Sequence, residues 1–108
     1  MFKLKLPKKL PKSVTIGGKE WKVSVQDLDG LIGKDEVMGL TVYDSVTQRR
    51  EIMIDKSLEK DEQKMRVFLH ELVHAVIFES KLPPDAICKT AEEVLCEQIA
   101  QLLFDASK

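Results

Sequence analysis

The sequence predicts an α+β domain: a small, mostly antiparallel sheet, then a long helix packed on it, then a C-terminal helix. Three observations carry this. β-favouring runs punctuated by glycines fill the first half of the chain. The stretch Val67 to Phe78 is apolar nearly all round, with neither Pro nor Gly. Pro83-Pro84 then separates it from a second helix-favouring segment.

Taken in order, Val14-Thr15-Ile16, Gly17-Gly18 and Lys19 to Val25 read as a hairpin, because the glycine pair supplies the positive φ of a tight turn. Asp27 to Glu36 carries Asp29-Gly30 and Gly33 and reads as a loop. Gly39 to Tyr43 and Arg50 to Ile54 are two further strands, with Asp44 to Gln48 as the turn between them. Asp61 to about Ser80 is the long helix, its acidic start suited to the helix dipole. A helix with so little polar face must be buried on most sides, so His70, Glu71 and His74 project into something other than open water. Thr90 to Ala106 is the last helix. Leu95, Ile99, Leu102 and Leu103 form its expected apolar stripe, with Glu93, Glu97 and Ala100 on a different face.

With 108 residues, 44% hydrophobic and 32% charged, the chain suits one globular domain over 1–108 and not a disordered tail. No apolar run reaches membrane-spanning length, and no apolar segment follows the basic N-terminus as in a secretory signal. A cytoplasmic location without membrane contact is the expectation, and the chain is read as a monomer. Cys88 and Cys96 sit at no metal-clip spacing and suit free thiols. The net charge of −1 conceals an asymmetry: residues 1–26 carry +6 and the remainder −7. The basic arm, residues 1–12, contains prolines at 7 and 11 and no aromatic after Phe2, which argues against a nucleic-acid stacking surface.

His70-Glu71-Leu72-Val73-His74 is an H-E-x-x-H motif. On a helix, positions i and i+4 lie one turn apart on one face, so two imidazoles can hold one metal ion. Zinc suits nitrogen and oxygen ligands, and its catalytic sites use three protein ligands plus water. Glu71, alongside, is placed to take a proton from that water. Two histidines placed at random in 108 positions fall four apart about 2% of the time; with a following Glu, the chance match is on the order of 0.2%. No third histidine exists, which excludes metzincin and SprT-like patterns. The acids after His74 are Glu79, Asp85, Glu92, Glu93, Glu97 and Asp105. Glu79 lies on the same helix, pointing elsewhere. A helical hairpin across Pro83-Pro84 can bring Glu93 over the first helix.

The motif with Glu93 eighteen residues beyond His74 resembles the gluzincin metallopeptidases, pattern H-E-x-x-H-x18-E. Glu93 to Ala100 is similar to the E-x-x-A-N-x-F-A helix of the ImmA/IrrE-type peptidases. The short strands leading into the helix resemble small phage and prophage peptidases and the minigluzincins, over residues 50–104. The resemblance implies a zincin-like fold and zinc-dependent hydrolysis of peptide bonds. It implies His70, His74 and Glu93 as zinc ligands, Glu71 as general base, and Glu97 as the carboxylate steadying a histidine. It also implies an edge strand, here Gly39-Leu40-Thr41-Val42-Tyr43, that binds an extended peptide or protein substrate by strand addition. Gluzincins often stabilise the oxyanion with a Tyr or His downstream of the ligands. This chain has neither, leaving Tyr43, Arg49, Arg50 and Arg66 as candidates.

Other readings of the same residues stay open. Glu92, Glu93 and Glu97 also fit a solvated acidic face, and Glu92 lies one position from Glu93 in register. The motif also fits a non-catalytic zinc-binding or partner-binding regulatory module. A structural zinc site of His70, His74 and Cys88 or Cys96 would be closed by four protein ligands.

Overall fold

The computed structural model of the chain describes residues 9–28, 38–83 and 85–107. The architecture is α+β, a four-stranded mixed sheet and two helices. The strands are β1 (Ser13–Ile16), β2 (Lys19–Gln26), β3 (Gly39–Asp44) and β4 (Arg49–Asp55); the helices are α1 (Asp61–Glu79) and α2 (Lys89–Ala106). Most of the loop read over Asp27 to Glu36, and residues 1–8 of the basic arm, lie outside the described residues.

The order across the sheet is β1-β2-β4-β3. Both outer pairings are antiparallel hairpins, whereas the central β2–β4 pair is parallel, with Val23 opposite Ile52 and Val25 opposite Ile54. The sheet is therefore mixed, because β3 inserts at the far edge instead of pairing with β2. Gly17 (φ 57°) and Gly18 (φ 79°) turn the first hairpin in the left-handed region that non-glycine residues resist. In the second hairpin, the Asp44 carboxylate accepts the Val46 N–H at 2.9 Å and holds the turn.

α1 lies across one sheet face. Trp21, Ile52 and Ile54 project from the sheet into a core with Met65, Phe68, Leu69 and Ala75 of α1, joined by Ala100 and Phe104 of α2. Trp21, Ile52 and Ile54 are fully buried. Burying a side chain of this kind contributes roughly 1.5–3 kcal/mol. The far end of α1 is pinned to the sheet by a compact polar cluster. Arg50 Nε donates to Glu79 Oε1 at 2.6 Å, and Trp21 Nε1 donates to the same oxygen at 3.1 Å. Both members of the ion pair are nearly buried, so removing either would strand a charge.

α2 departs from the expected stripe. Its buried residues are Cys96, Ala100 and Phe104, on the side that carries Glu93 and Glu97, while Leu95, Ile99 and Leu102 are exposed, Leu102 by 69%. Of the expected stripe, Leu103 packs against the core, and the seam with α1 otherwise takes Cys96, Ala100, Phe104 and histidine–carboxylate pairs. No helix among the described residues is long and apolar enough to cross a membrane.

Candidate metal centre

The two helices run antiparallel, and their facing side chains pair in register along the seam. Arg66 meets Gln101, His70 meets Glu97 and Glu93, and His74 meets Glu93 and Glu92. The i, i+4 spacing places both imidazoles on one side of α1, with ring centroids 5.1 Å apart.

Every ring nitrogen of the two histidines faces a carboxylate oxygen. Glu97 Oε2 lies 2.9 Å from His70 Nδ1, and Glu92 Oε2 lies 2.6 Å from His74 Nδ1. Glu93 spans the two inward nitrogens, at 3.2 Å from His70 Nε2 and 2.7 Å from His74 Nε2. Two neutral imidazoles offer only two N–H donors, against four acceptors here. Nδ1 protons directed at Glu97 and Glu92 leave both Nε2 lone pairs aimed at Glu93, which is repulsive unless a positive charge sits among them. Either two further protons or one metal cation would supply that charge. With the protons on the outer nitrogens, both Nε2 atoms would be free to ligate.

His70, Glu71 and His74 form a group whose possible ligand atoms all lie within 4.8 Å of one another, so this His-Glu-His group could hold a metal ion. Glu71 and Glu93 thus compete for the third position, and their partners distinguish them. Glu71 Oε1 accepts the Thr41 hydroxyl at 2.9 Å, while Oε2 stands 3.9 Å from His70 Nε2. Glu93, outside that group, reaches both Nε2 atoms.

Glu71 is buried beneath β3. Burial pushes its carboxyl above the ordinary carboxylate range, against the opposing pull of the Thr41 hydrogen bond and the two imidazoles. The close fit of β3 over α1 depends on Gly39, where a Cβ would fall 2.6 Å from Val67 Cγ1 and 2.9 Å from Glu71 Cγ. Thr41 Oγ1 also lies 3.0 Å from the Glu71 carbonyl oxygen, so one hydroxyl is shared between backbone and carboxylate.

The cysteines take no part. Among the described residues, the group with metal-ligating reach contains no sulfur. Cys96 is fully buried, and its thiol is pushed up to about 12 by burial and by the Glu92, Glu93 and Glu71 carboxylates. The thiolate needed of a ligand is disfavoured there. Exposed Cys88 caps α2, its sulfur accepting the Ala91 N–H at 3.4 Å.

A cleft of about 870 Å³ opens over the histidines, walled by β3 on one side and α2 on the other. β3 is the sheet edge beside it and runs in the same sense as α1: Gly39 lies by Val67, and Tyr43 stacks on Phe78 at 4.3 Å. Of the four oxyanion-donor candidates, Arg49 is paired with Glu51 and Arg50 with Glu79, so Tyr43 and Arg66 are left on the cleft wall. All ten candidate site positions, the two histidines, Glu71, Glu93, Glu97 and Gly39 to Tyr43, thus lie along one seam and the adjoining strand. Sequence reasoning weighed Glu92 only as an alternative to Glu93 for the third ligand, not as a partner of His74 Nδ1, and missed Thr41 as a partner of Glu71. Each needs the inter-element register, which no local motif encodes.

Comparison with models of protein families, with curated proteins and with solved structures finds no match for this chain. The gluzincin resemblance therefore rests on the motif residues alone.

Proposed function

We propose that the chain is a zinc-dependent metallopeptidase with a zincin-like domain, hydrolysing peptide bonds of an extended peptide or protein segment. The observation that carries this reading is the ring of carboxylates around two imidazoles, which calls for a cation where the two Nε2 atoms and Glu93 converge. His70, His74 and Glu93 would hold zinc, an assignment consistent with a nitrogen and oxygen donor set. Zinc held there would supply a Lewis acid for the substrate carbonyl and would make water a competent nucleophile near neutral pH.

The remaining steps belong to this chain's own residues. Glu97 and Glu92 hold the Nδ1 protons and so orient both rings. Glu71 takes the proton of the attacking water and passes it to the departing amine. Thr41 fixes Oε1 of that carboxylate, leaving Oε2 for the proton transfer. Among the described residues β3 is an edge strand, which offers backbone groups for strand addition by the substrate.

Glu71→Gln tests the reading. The variant should keep its zinc and its fold while hydrolysis of unstructured test proteins falls by at least ~10²-fold. Equal cleavage by wild type and variant would contradict it.

A further inference from the structure

The seam has three rungs, and the third differs in kind. His70 and His74 face carboxylates across the seam; Arg66, one turn earlier on α1, faces the neutral Gln101. Among the described residues, no carboxylate stands within ion-pair distance of Arg66. Asp105 touches Gln101, whose Nε2 donates to it at 2.9 Å, and does not reach the guanidinium. The Phe104 ring supports the guanidinium at 5.7 Å from its centroid. The exposed side chain is thus held by neutral groups and keeps donors free of a carboxylate partner, at the wall of the cleft that both Arg66 and the histidines line.

The other arginines show the contrast. Arg49 and Arg50 each have a carboxylate partner and lie outside the cleft lining. Arg66 is a positioned cation in a cleft that otherwise presents Glu71, Glu92, Glu93 and Glu97.

Its place along the cleft sets what it would meet. Arg66 precedes His70 by four residues, about 6 Å along the helix axis. An extended peptide advances about 3.3 Å per residue, so that offset corresponds to about two residues from the scissile bond. A substrate pairing antiparallel to β3, the more stable arrangement, would run from Tyr43 toward Gly39, opposite to the strand's own direction. Its C-terminal side would then lie toward Arg66, because Gly39 packs on Val67 and Tyr43 on Phe78.

We propose that Arg66, held by Gln101 and Phe104, is a specificity residue that recognises a carboxylate about two residues to the C-terminal side of the scissile bond. This rests on the peptidase reading above and names its substrate class: peptides with an acidic side chain or a free C-terminus at that position. The spacing from His70 argues for this role over oxyanion stabilisation, which would need a donor at the reacting carbonyl itself.

The test uses three peptide hydroxamates, which anchor at a bound metal and are not hydrolysed. They differ only two residues from the anchor: a free C-terminal carboxylate, a carboxamide, or an aspartate side chain with an amidated end. Calorimetry on the zinc-loaded chain should show the carboxylate probes binding about tenfold more tightly than the carboxamide, as for one charge-assisted hydrogen bond. Arg66→Gln should abolish that gap, and Arg66→Lys should keep part of it, with melting temperature reporting the fold of each variant. A gain with the free terminus alone assigns terminal-carboxylate recognition; a gain with aspartate as well assigns acidic side chains. Equal affinities in wild type, or a gap that survives Arg66→Gln, overturns the proposal on its own. Failure of all three hydroxamates to bind a zinc-loaded wild type overturns the peptidase cleft beneath it.

Discussion

Helix α1 has two long faces that obey different rules. Toward the sheet, Met65, Phe68, Leu69 and Ala75 pack against Trp21, Ile52 and Ile54, with the Arg50–Glu79 ion pair closing the far end. Toward α2, Glu92, Glu93 and Glu97 crowd two imidazoles, and Glu93 and Glu97 remain largely exposed. The apolar face earns its place through burial. The histidine–carboxylate pairs add less: partly exposed pairs of this kind are worth about 0–1 kcal/mol each, and the like charges among them repel. The difference teaches where substitutions should act on stability and where on chemistry.

The largest stability effect is expected on the sheet side. Leu69→Ala, at a fully enclosed position, should destabilise by about 2–5 kcal/mol in chemical denaturation. Glu97→Gln in chelator-treated protein should change stability by less than about 1 kcal/mol. An equally damaging Glu97→Gln would erase the distinction between the two faces.

Much of the sheet face was legible in the sequence. Gly17-Gly18, the alternation Trp21, Val23, Val25 and the Asp61-to-Pro83 bounds are local signals, and the elements form close to where those signals place them. The H-E-x-x-H spacing likewise fixes His70 and His74 on one side of α1 without tertiary information. What was not legible depends on how elements meet. On hydropathy alone Leu95, Ile99 and Leu102 outrank Cys96 and Ala100, yet close approach of α2 to α1 selects the smaller residues. The same register turns Glu92 toward His74 Nδ1 and Glu93 toward both Nε2 atoms, a difference of one residue that depends on where the helix starts. The parallel β2–β4 pair was also hidden, because no residue of β2 specifies that β3 will occupy the far edge.

An intermediate effect should fall where the two faces join, at the Thr41–Glu71 contact. Thr41→Val removes the donor and keeps the shape, so kcat should drop about tenfold with little change in KM or melting temperature. Thr41→Ser should restore most of it. A loss in melting temperature that matches the loss in kcat, unrelieved by serine, would make Thr41 a packing residue only.

The smallest effect concerns pH in the metal-free protein. Because the native Glu71 carboxyl lies above its usual range, folding disfavours its ionised form. The penalty is absent well below the unfolded value of about 4.5 and sets in as pH rises past it. Glu71→Gln should therefore be more stable than wild type at neutral pH after chelation, with the advantage fading as the solution is acidified. An advantage that grows toward low pH would give the opposite sign and contradict the burial argument.

The central claim is that a cation belongs where Glu93 meets His70 Nε2 and His74 Nε2. Zinc titration of chelator-treated protein, followed by calorimetry and melting temperature, measures it directly. One zinc per chain should bind and raise the melting temperature. Glu93→Gln should abolish tight binding, while Glu92→Gln and Glu97→Gln should weaken it by about 10–100-fold. A wild type that takes up no zinc, or a Glu93→Gln variant that binds it as tightly as wild type, would contradict the account.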